Sequence, residues 1–203
     1  MAPVPLVASD RTDAPPAGCR YDRPVQVEDT TISSPRLALP LLALDQLDRL
    51  VTGEVAGLGS ELGADLSAEW LASVRRVAAR RARQIRERPV DAPWLLRPIL
   101  LRDAGDPRPA IGYLNFHGAP DEAGMVEIGY MLLPASRGRG YAIEAVRAAF
   151  DWATRVHGIR HFRASVSPDN DRSLNLIGRL GFVQAGEQWD DEDGLELVFE
   201  LHV

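Results

Sequence analysis

Lysine is absent from this chain of 203 residues: all 23 basic side chains are arginine, set against 29 acidic ones for a formal net charge of −6. Without lysine there can be no Walker A loop, which needs Gly-Lys followed by Ser or Thr. The acidic balance argues against general binding to nucleic acid or an anionic membrane, while leaving room for a local basic pocket. Cysteine is nearly absent as well. Cys19 stands alone in a Pro-rich stretch, cannot close an internal disulfide, and reads as an incidental thiol rather than part of a secreted disulfide scaffold. Long apolar runs are missing, none approaching the roughly 18–20 residues that span a bilayer. The first 18 residues lack the basic n-region and sustained apolar stretch of a signal peptide. The cytoplasm is therefore the expected location. Hydrophobic residues at 45% and charged residues at 26% are ordinary for a soluble globular protein.

Residues 1–30 are rich in Pro, Ala and Asp with little periodicity, which predicts a flexible or loosely docked extension. Folding is expected over 31–203. Leu37, Leu39 and Leu41 alternate as a strand; Leu44, Leu47 and Val51 share a helical face that Gly53 stops. The Gly-rich stretch over 53–67 reads as a loop. A long helix follows, with Ser67 as N-cap, Leu71, Val74, Ala78 and Ile85 on one stripe, and Pro89 as its end. Its off-stripe arginines, Arg75, Arg76, Arg80, Arg83 and Arg86, form either a solvated face or a surface for an acidic partner.

The second half begins with strands. "WLLRPILLRD" and "PAIGYLNFHG" flank a turn cluster and predict a hairpin. "GMVEIGYMLLP" predicts a third strand, followed by "ASRGRGYA" and a helix carrying Ile143, Val146, Phe150, Ala153 and Val156 on one face, closed by Gly158. A strand at "IRHFRASVS", a short helix ending at Gly181 and a final hairpin with an acidic turn complete the chain. The expected fold class is mixed α/β with one βαβ crossover at its centre.

"PASRGRGYAIEA" runs from strand through a glycine-rich turn into a helix. Glycines let backbone N–H groups converge, the helix N-terminus adds partial positive charge, and Arg137 and Arg139 add full charges. The stretch reads as a phosphate or pyrophosphate cradle, or as a plain βα connection. A dinucleotide fingerprint is disfavoured because Ile143 stands where its third glycine belongs.

Arg137-Gly138-Arg139-Gly140-Tyr141-Ala142 resembles the Q/R-x-x-G-x-G/A signature of the GNAT superfamily, the Gcn5-related N-acetyltransferases. "VEIGYMLLP" is similar to the strand before that loop in the bacterial RimJ/RimL-like branch, and "NDRSLNLIGRLGF" is similar to its Asn-x-x-Ser element and closing Gly-Phe. The resemblance covers roughly 31–203. It implies a mostly antiparallel, twisted central sheet, splayed at the cofactor and flanked by helices. It also implies acetyl-CoA as co-substrate, with the pyrophosphate held by Arg137, Gly138, Arg139, Gly140, Tyr141 and Ala142. The pantetheine arm would run along Met131, Leu132 and Leu133, with Asn170 holding it or a nearby water. Arg179 would either approach the adenosine end or face solvent.

The reaction implied is attack of a primary amine on the thioester, with no metal. The acceptor is a protein or peptide N-terminus or a small-molecule amine, and the assembly a monomer or homodimer. A free lysine-type amine has a pKa of about 10.4, so a general base should help. Glu127 is the candidate, a carboxylate inside an apolar strand; its alternative is a buried, satisfied glutamate. A backbone N–H near Met131 or Leu132 would stabilise the oxyanion. Ile177 occupies the place where many relatives carry an acidic tyrosine, which leaves Ser173 as proton donor or merely as a helix cap; Tyr141 is poorly placed for that role. His117 could be a secondary base or a surface histidine. His157, His161 and His202 show no metal-ligand spacing. Asp190, Asp191, Glu192 and Asp193 could draw in a cationic amine or simply form a solvated hairpin tip. A non-catalytic acyl-CoA-binding module is the competing class of function.

Overall fold

The computed structural model of the protein describes residues 31–191 and 194–203. The expectations for residues 1–30, Cys19, Glu192 and Asp193 fall outside the described residues.

Strand β1 (Thr31–Ser33) turns at once into β2 (Leu37–Pro40), and α1 (Leu44–Thr52) follows, stopped by Gly53 in the left-handed conformation. The stretch expected as loop is more ordered than its glycines suggest. It holds α2 (Leu58–Leu62) and a two-residue strand, β3 (Ala64–Asp65), because fully buried Leu58 anchors the turn between Gly57 and Gly63, both at positive φ. Helix α3 (Ala68–Glu87) starts where Ser67 accepts the Trp70 N–H at 3.2 Å and ends one residue before Pro89. Residues 89–94 form a 3-10 turn, so β4 (Arg97–Leu101) begins three residues later than its apolar run implied.

Then come β5 (Arg108–Phe116), β6 (Met125–Leu132), α4 (Tyr141–His157), β7 (His161–Val166), α5 (Asp171–Leu180), β8 (Val183–Asp190) and β9 (Gly194–His202). The strand order is β1-β2-β4-β5-β6-β7-β9-β8, with β3 beside β5. Pairing is antiparallel except for β3 with β5 and β6 with β7. The latter is the expected βαβ crossover, with α4 as its connection.

Each face of the sheet carries its own core. On one side α4 and α5 bury Val146, Phe150 and Ile177 against Val126, Ile128, Phe162 and Ala164. On the other, α1 and α3 bury Leu47, Trp70, Val74 and Ala78 against Leu96, Leu100 and Ala110. The alternation of β6 places Ile128 and Leu132 in the first core and Met131 against the second. No described helix is long and apolar enough to cross a membrane.

Candidate active site

The geometry that defines the site is a fork in the sheet. Strands β6 and β7 pair only over Met125–Glu127 and His161–Arg163. Beyond Glu127 they part: β7 stays with β9, while β6 continues along β5 to Leu132. The edge of β6 facing the fork is therefore without a strand partner from 128 onward. Antiparallel ladders alternate, so only every second residue can offer its backbone there. The Glu127 carbonyl accepts from His117 N–H at 2.8 Å, and Leu133 N–H donates to the Ile111 carbonyl at 2.9 Å, which turns the odd-numbered residues of β6 toward β5. A Cβ built on Gly112 would lie 2.1 Å from the Met131 carbonyl, which confirms that orientation. The groups open to the fork thus belong to Ile128, Tyr130 and Leu132. Of the three residues expected along a pantetheine, Leu132 alone presents its backbone there. Met131 faces β5, and Leu133 has its N–H in the ladder and its side chain, 8% exposed, in the core under α3.

The fork opens into a cleft of about 510 Å³. Tyr130, Met131 and Leu132 line one wall, the turn from Arg137 to Ala142 lines the end, and Asn170, Ser173 and Arg179 line the other wall; Arg139 is not among the lining residues. Gly138 and Gly140 take φ of +74° and +79°, a left-handed conformation that side chains resist, and Gly140 is the N-cap of α4. Arg137 folds back so that its Nε donates to the Leu132 carbonyl at 2.9 Å. That bond leaves the Leu132 N–H, rather than that of Met131, as the donor open to the fork. A second hollow of about 570 Å³ lies beside α2 and β3, away from the fork and from any convergent set of donors and base.

Arg36, in the β1–β2 turn, was not picked out by sequence reasoning. Its Nη1 donates to the Arg139 carbonyl at 3.1 Å, its guanidinium sits 4.6 Å from the Tyr141 ring centre, and it pairs with Glu144 at 2.6 Å. Glu144 also accepts from Ser34 Oγ at 2.7 Å and Arg36 N at 2.9 Å. Burial pushes the Glu144 carboxyl up, but these donors and the Arg36 charge outweigh it and hold the group below its ordinary range.

At the crotch of the fork stands Glu127. Ser165 Oγ donates to its Oε1 at 2.7 Å, Gln188 Nε2 donates to Ser165 Oγ at 3.1 Å, and His117 Nδ1 lies 3.4 Å from the same Oε1. Burial raises the Glu127 carboxyl, but His117, Ser165 and Arg163 together bring it below its ordinary value. Glu127 and His117 were foreseen; Ser165 and Gln188 carry no sequence signal, because only strand register brings them there.

On α5, Asn170 is the N-cap, its side chain accepting the Ser173 N–H at 3.2 Å. The cap is therefore Asn170, and the Ser173 side chain is left to the cleft. Ile177 is 2% exposed in the core beneath α4. Tyr130 is a hydroxyl that the sequence reading passed over. Its OH is buried without a hydrogen-bond partner among the described residues, and burial raises its pKa against a lowering influence from nearby Ser173.

His161 and His202, which looked scattered along the sequence, in fact stack across β7 and β9 with ring centres 4.0 Å apart. Glu200 Oε2 is 3.0 Å from His161 Nε2, while Arg163 Nη2 donates to Glu200 Oε1 at 2.8 Å. Arg163 is thus already the cation of this cluster. In the acidic hairpin turn, Asp190 is half-buried and Asp191 exposed.

Comparison with known proteins now decides the family: the model of the acetyltransferase (GNAT) domain matches residues 49–183. The chain belongs to the GNAT acetyltransferase family. The acetyl donor of this family is acetyl-CoA. YjdG of Bacillus subtilis, named an uncharacterized N-acetyltransferase, is 34% identical over 73 residues, 36% of this chain and 44% of the relative. Protein p20 of Bacillus licheniformis, named likewise, is 34% identical over 93 residues, 46% of this chain and 52% of the relative. The chain thus spans about half the length of the curated relatives it matches. Among solved structures, the ribosomal-protein-S5-alanine acetyltransferase of Vibrio fischeri superposes with a TM-score of 0.57 at 13% identity, covering 85% of this chain and 96% of that one. An acetyltransferase from Agrobacterium tumefaciens gives 0.55 at 23% identity, covering 93% and 99%. RimL, an L7/L12 alpha-N-protein acetyltransferase in complex with coenzyme A, gives 0.56 at 18% identity, covering 85% and 98%. These neighbours share the fold of this chain.

Proposed function

We propose that this GNAT protein is an acetyl-CoA-dependent N-acetyltransferase that acts on a primary amine, either a protein or peptide N-terminus or a small molecule. The fork carries the reading. One free strand edge leads from a carboxylate at the crotch to a glycine cradle at a helix N-terminus, and the far part of that edge lines a cleft with the cradle and α5. The cradle over Arg137–Ala142 takes the pyrophosphate, where backbone N–H groups and the α4 N-terminus favour negative charge. The pantetheine amides pair with the open backbone of Tyr130, and the Asn170 side chain reaches the arm from α5. At the fork the amine nitrogen bonds to the thioester carbon, the C–S bond breaks, and the CoA sulfur leaves as thiolate. The Leu132 N–H stabilises the intermediate oxyanion. Glu127 serves the loss of the amine proton and Ser173 returns a proton to sulfur; a cysteine-like thiol has a pKa near 8.5, so that need is modest.

Arg36 sets the cradle's charge. Glu144 sits in the first turn of α4, where a bound pyrophosphate would feel it as a like charge, and Arg36 neutralises it. Arg36→Ala should raise the Kd for CoA about three- to tenfold, up to ~1.4 kcal/mol, in titration calorimetry. An unchanged Kd would remove Arg36 from the site.

The function itself is tested by thiol release from acetyl-CoA with peptides bearing free N-termini and with polyamines. Turnover with any of them supports the transferase reading. CoA binding with no turnover across the whole panel favours a non-catalytic acyl-CoA-binding module, the reading that Ile177 supports by replacing the usual acidic tyrosine.

A further inference from the structure

We propose that the proton removed from the acceptor amine comes to rest on Nε2 of His117, with Glu127 acting as the carboxylate that orients and charges that imidazole. This rests on the acetyltransferase reading and divides the base between two residues.

The backbone of His117 is fixed on both sides. Its N–H donates to the Glu127 carbonyl at 2.8 Å, and its carbonyl accepts from Gln84 Nε2 at 2.8 Å and Arg81 Nη1 at 3.4 Å, both from α3. Gln84 is held in turn by Asp91 at 2.7 Å, and Asp91 also takes the Ala119 N–H at 2.9 Å. An anchor this elaborate is not needed to hold a surface histidine at a strand end.

The ring is placed with equal economy. Nδ1 faces Glu127 Oε1, so the carboxylate favours the tautomer with the proton on Nδ1 and the lone pair on Nε2. Nε2 lies over Gly129, where an added Cβ would be 2.9 Å away and 3.1 Å from Asn115 Nδ2. Glu127 and Gly129 are two residues apart on one face of β6, so the ring leads from the carboxylate along the strand, toward Leu132 and the expected thioester. The missing side chain at 129 is what leaves room for it.

Glu127 is a weaker choice to hold the proton. Its Oε1 already takes the Ser165 hydroxyl, and its donors hold the carboxyl below its ordinary value. A base works best when its pKa is near the operating pH, and imidazoles ordinarily titrate near 6.5 against about 4.3 for glutamate. His117 is also the more exposed of the two, at 42% against 19%, so a proton on it can pass to water. Glu127 on β6 faces the ring directly; Arg163 on β7 acts on Glu127, while Arg81 on α3 and Asp91 in the 3-10 turn lie on the side of the His117 backbone. In the proposed step the N–H bond of the attacking amine breaks, its electron pair stays on nitrogen, and an Nε2–H bond forms; no further reactant is required.

The test follows thiol release against pH with acetyl-CoA and the best acceptor from the peptide and polyamine panel. The wild type should lose kcat/KM as the pH falls, on a limb set by the proton acceptor. His117→Gln should lower kcat/KM at neutral pH about a hundredfold and abolish that limb, with the Kd for CoA unchanged. Gly129→Ala keeps both residues but pushes the ring aside, and should reproduce the loss in part. Histidine-selective 15N NMR of the full chain should show Nδ1–H at His117 in the wild type and loss of that bias in Glu127→Gln. Turnover that survives His117→Gln with its acid limb intact overturns the proposal while leaving the acetyltransferase reading standing. No turnover by the wild type with any acceptor overturns both.

Discussion

Replacing Glu127 by glutamine should lower kcat/KM for acetyl transfer by about 10²–10⁴-fold, the range expected when proton transfer from a positioned group is lost. Glutamine keeps the shape, and its carbonyl oxygen can still accept the Ser165 hydroxyl. What disappears is the negative charge that His117 and Arg163 face. Binding of CoA should be unaffected, because Glu127 does not line the cleft that ends in the cradle. Thus kcat/KM should fall while the calorimetric Kd holds. Loss of both together would mean a collapsed site rather than a missing carboxylate. The variant also has a stability signature. The folded-state pKa of Glu127 lies below its unfolded value, so its stabilising contribution is present above the unfolded pKa and fades as pH falls through the folded one. The stability gap between wild type and Glu127→Gln should therefore narrow in acid. A gap that widened there would contradict the ion-pair environment assigned to this carboxylate.

Trp70→Ala should cost about 3–5 kcal/mol of stability, as truncations of large buried aromatics do. In a chain of this length that shifts Tm down by roughly 10 °C. Trp70 is fully buried, and its indole N–H donates to the Gly112 carbonyl at 2.7 Å, tying α3 to β5. Gly112 is the register partner of Leu132, so the same contact steadies the part of β6 that lines the cleft. Trp70→Phe separates the two contributions. It keeps most of the volume but leaves the Gly112 carbonyl without its donor, and should cost about 1–3 kcal/mol. Thermal unfolding of the two variants measures the difference; equal losses would mean that the indole bond contributes nothing beyond filling space.

Much of the fold could be read residue by residue. Ser67 caps α3, Pro89 lies just past its end, and Gly53, Gly158 and Gly181 each close a helix in the left-handed conformation. The strand–loop–helix–strand run through β6, α4 and β7 was equally legible, since apolar periodicity changes from two to three or four on either side of the glycines. The segment over 53–67 was not. Its four glycines outweighed the buried Leu58 whose packing turns it into α2. In the site, Glu127 stood out as a charge in an apolar strand. Ser165, Gln188, Tyr130 and Arg36 did not, because nothing in their neighbourhoods marks them apart from ordinary strand and turn residues.

The sequence alone determined the local devices: a glycine-rich turn between a strand and a helix, a carboxylate on the strand before it, and an Asn-x-x-Ser helix start after it. Each rests on backbone conformation and capping within a few residues, which neighbouring side chains largely dictate. The tertiary structure decided which atoms those devices present. Strand register turned the backbone of Tyr130 and Leu132, rather than Met131 or Leu133, toward the fork. It set His117 against Glu127 across β5 and β6, and brought Arg36 to Glu144 across 108 residues of chain. A shift of one residue in any of those pairings would invert every face and every open N–H, and no local signal fixes it. Only the packing of two cores on opposite sides of one sheet does.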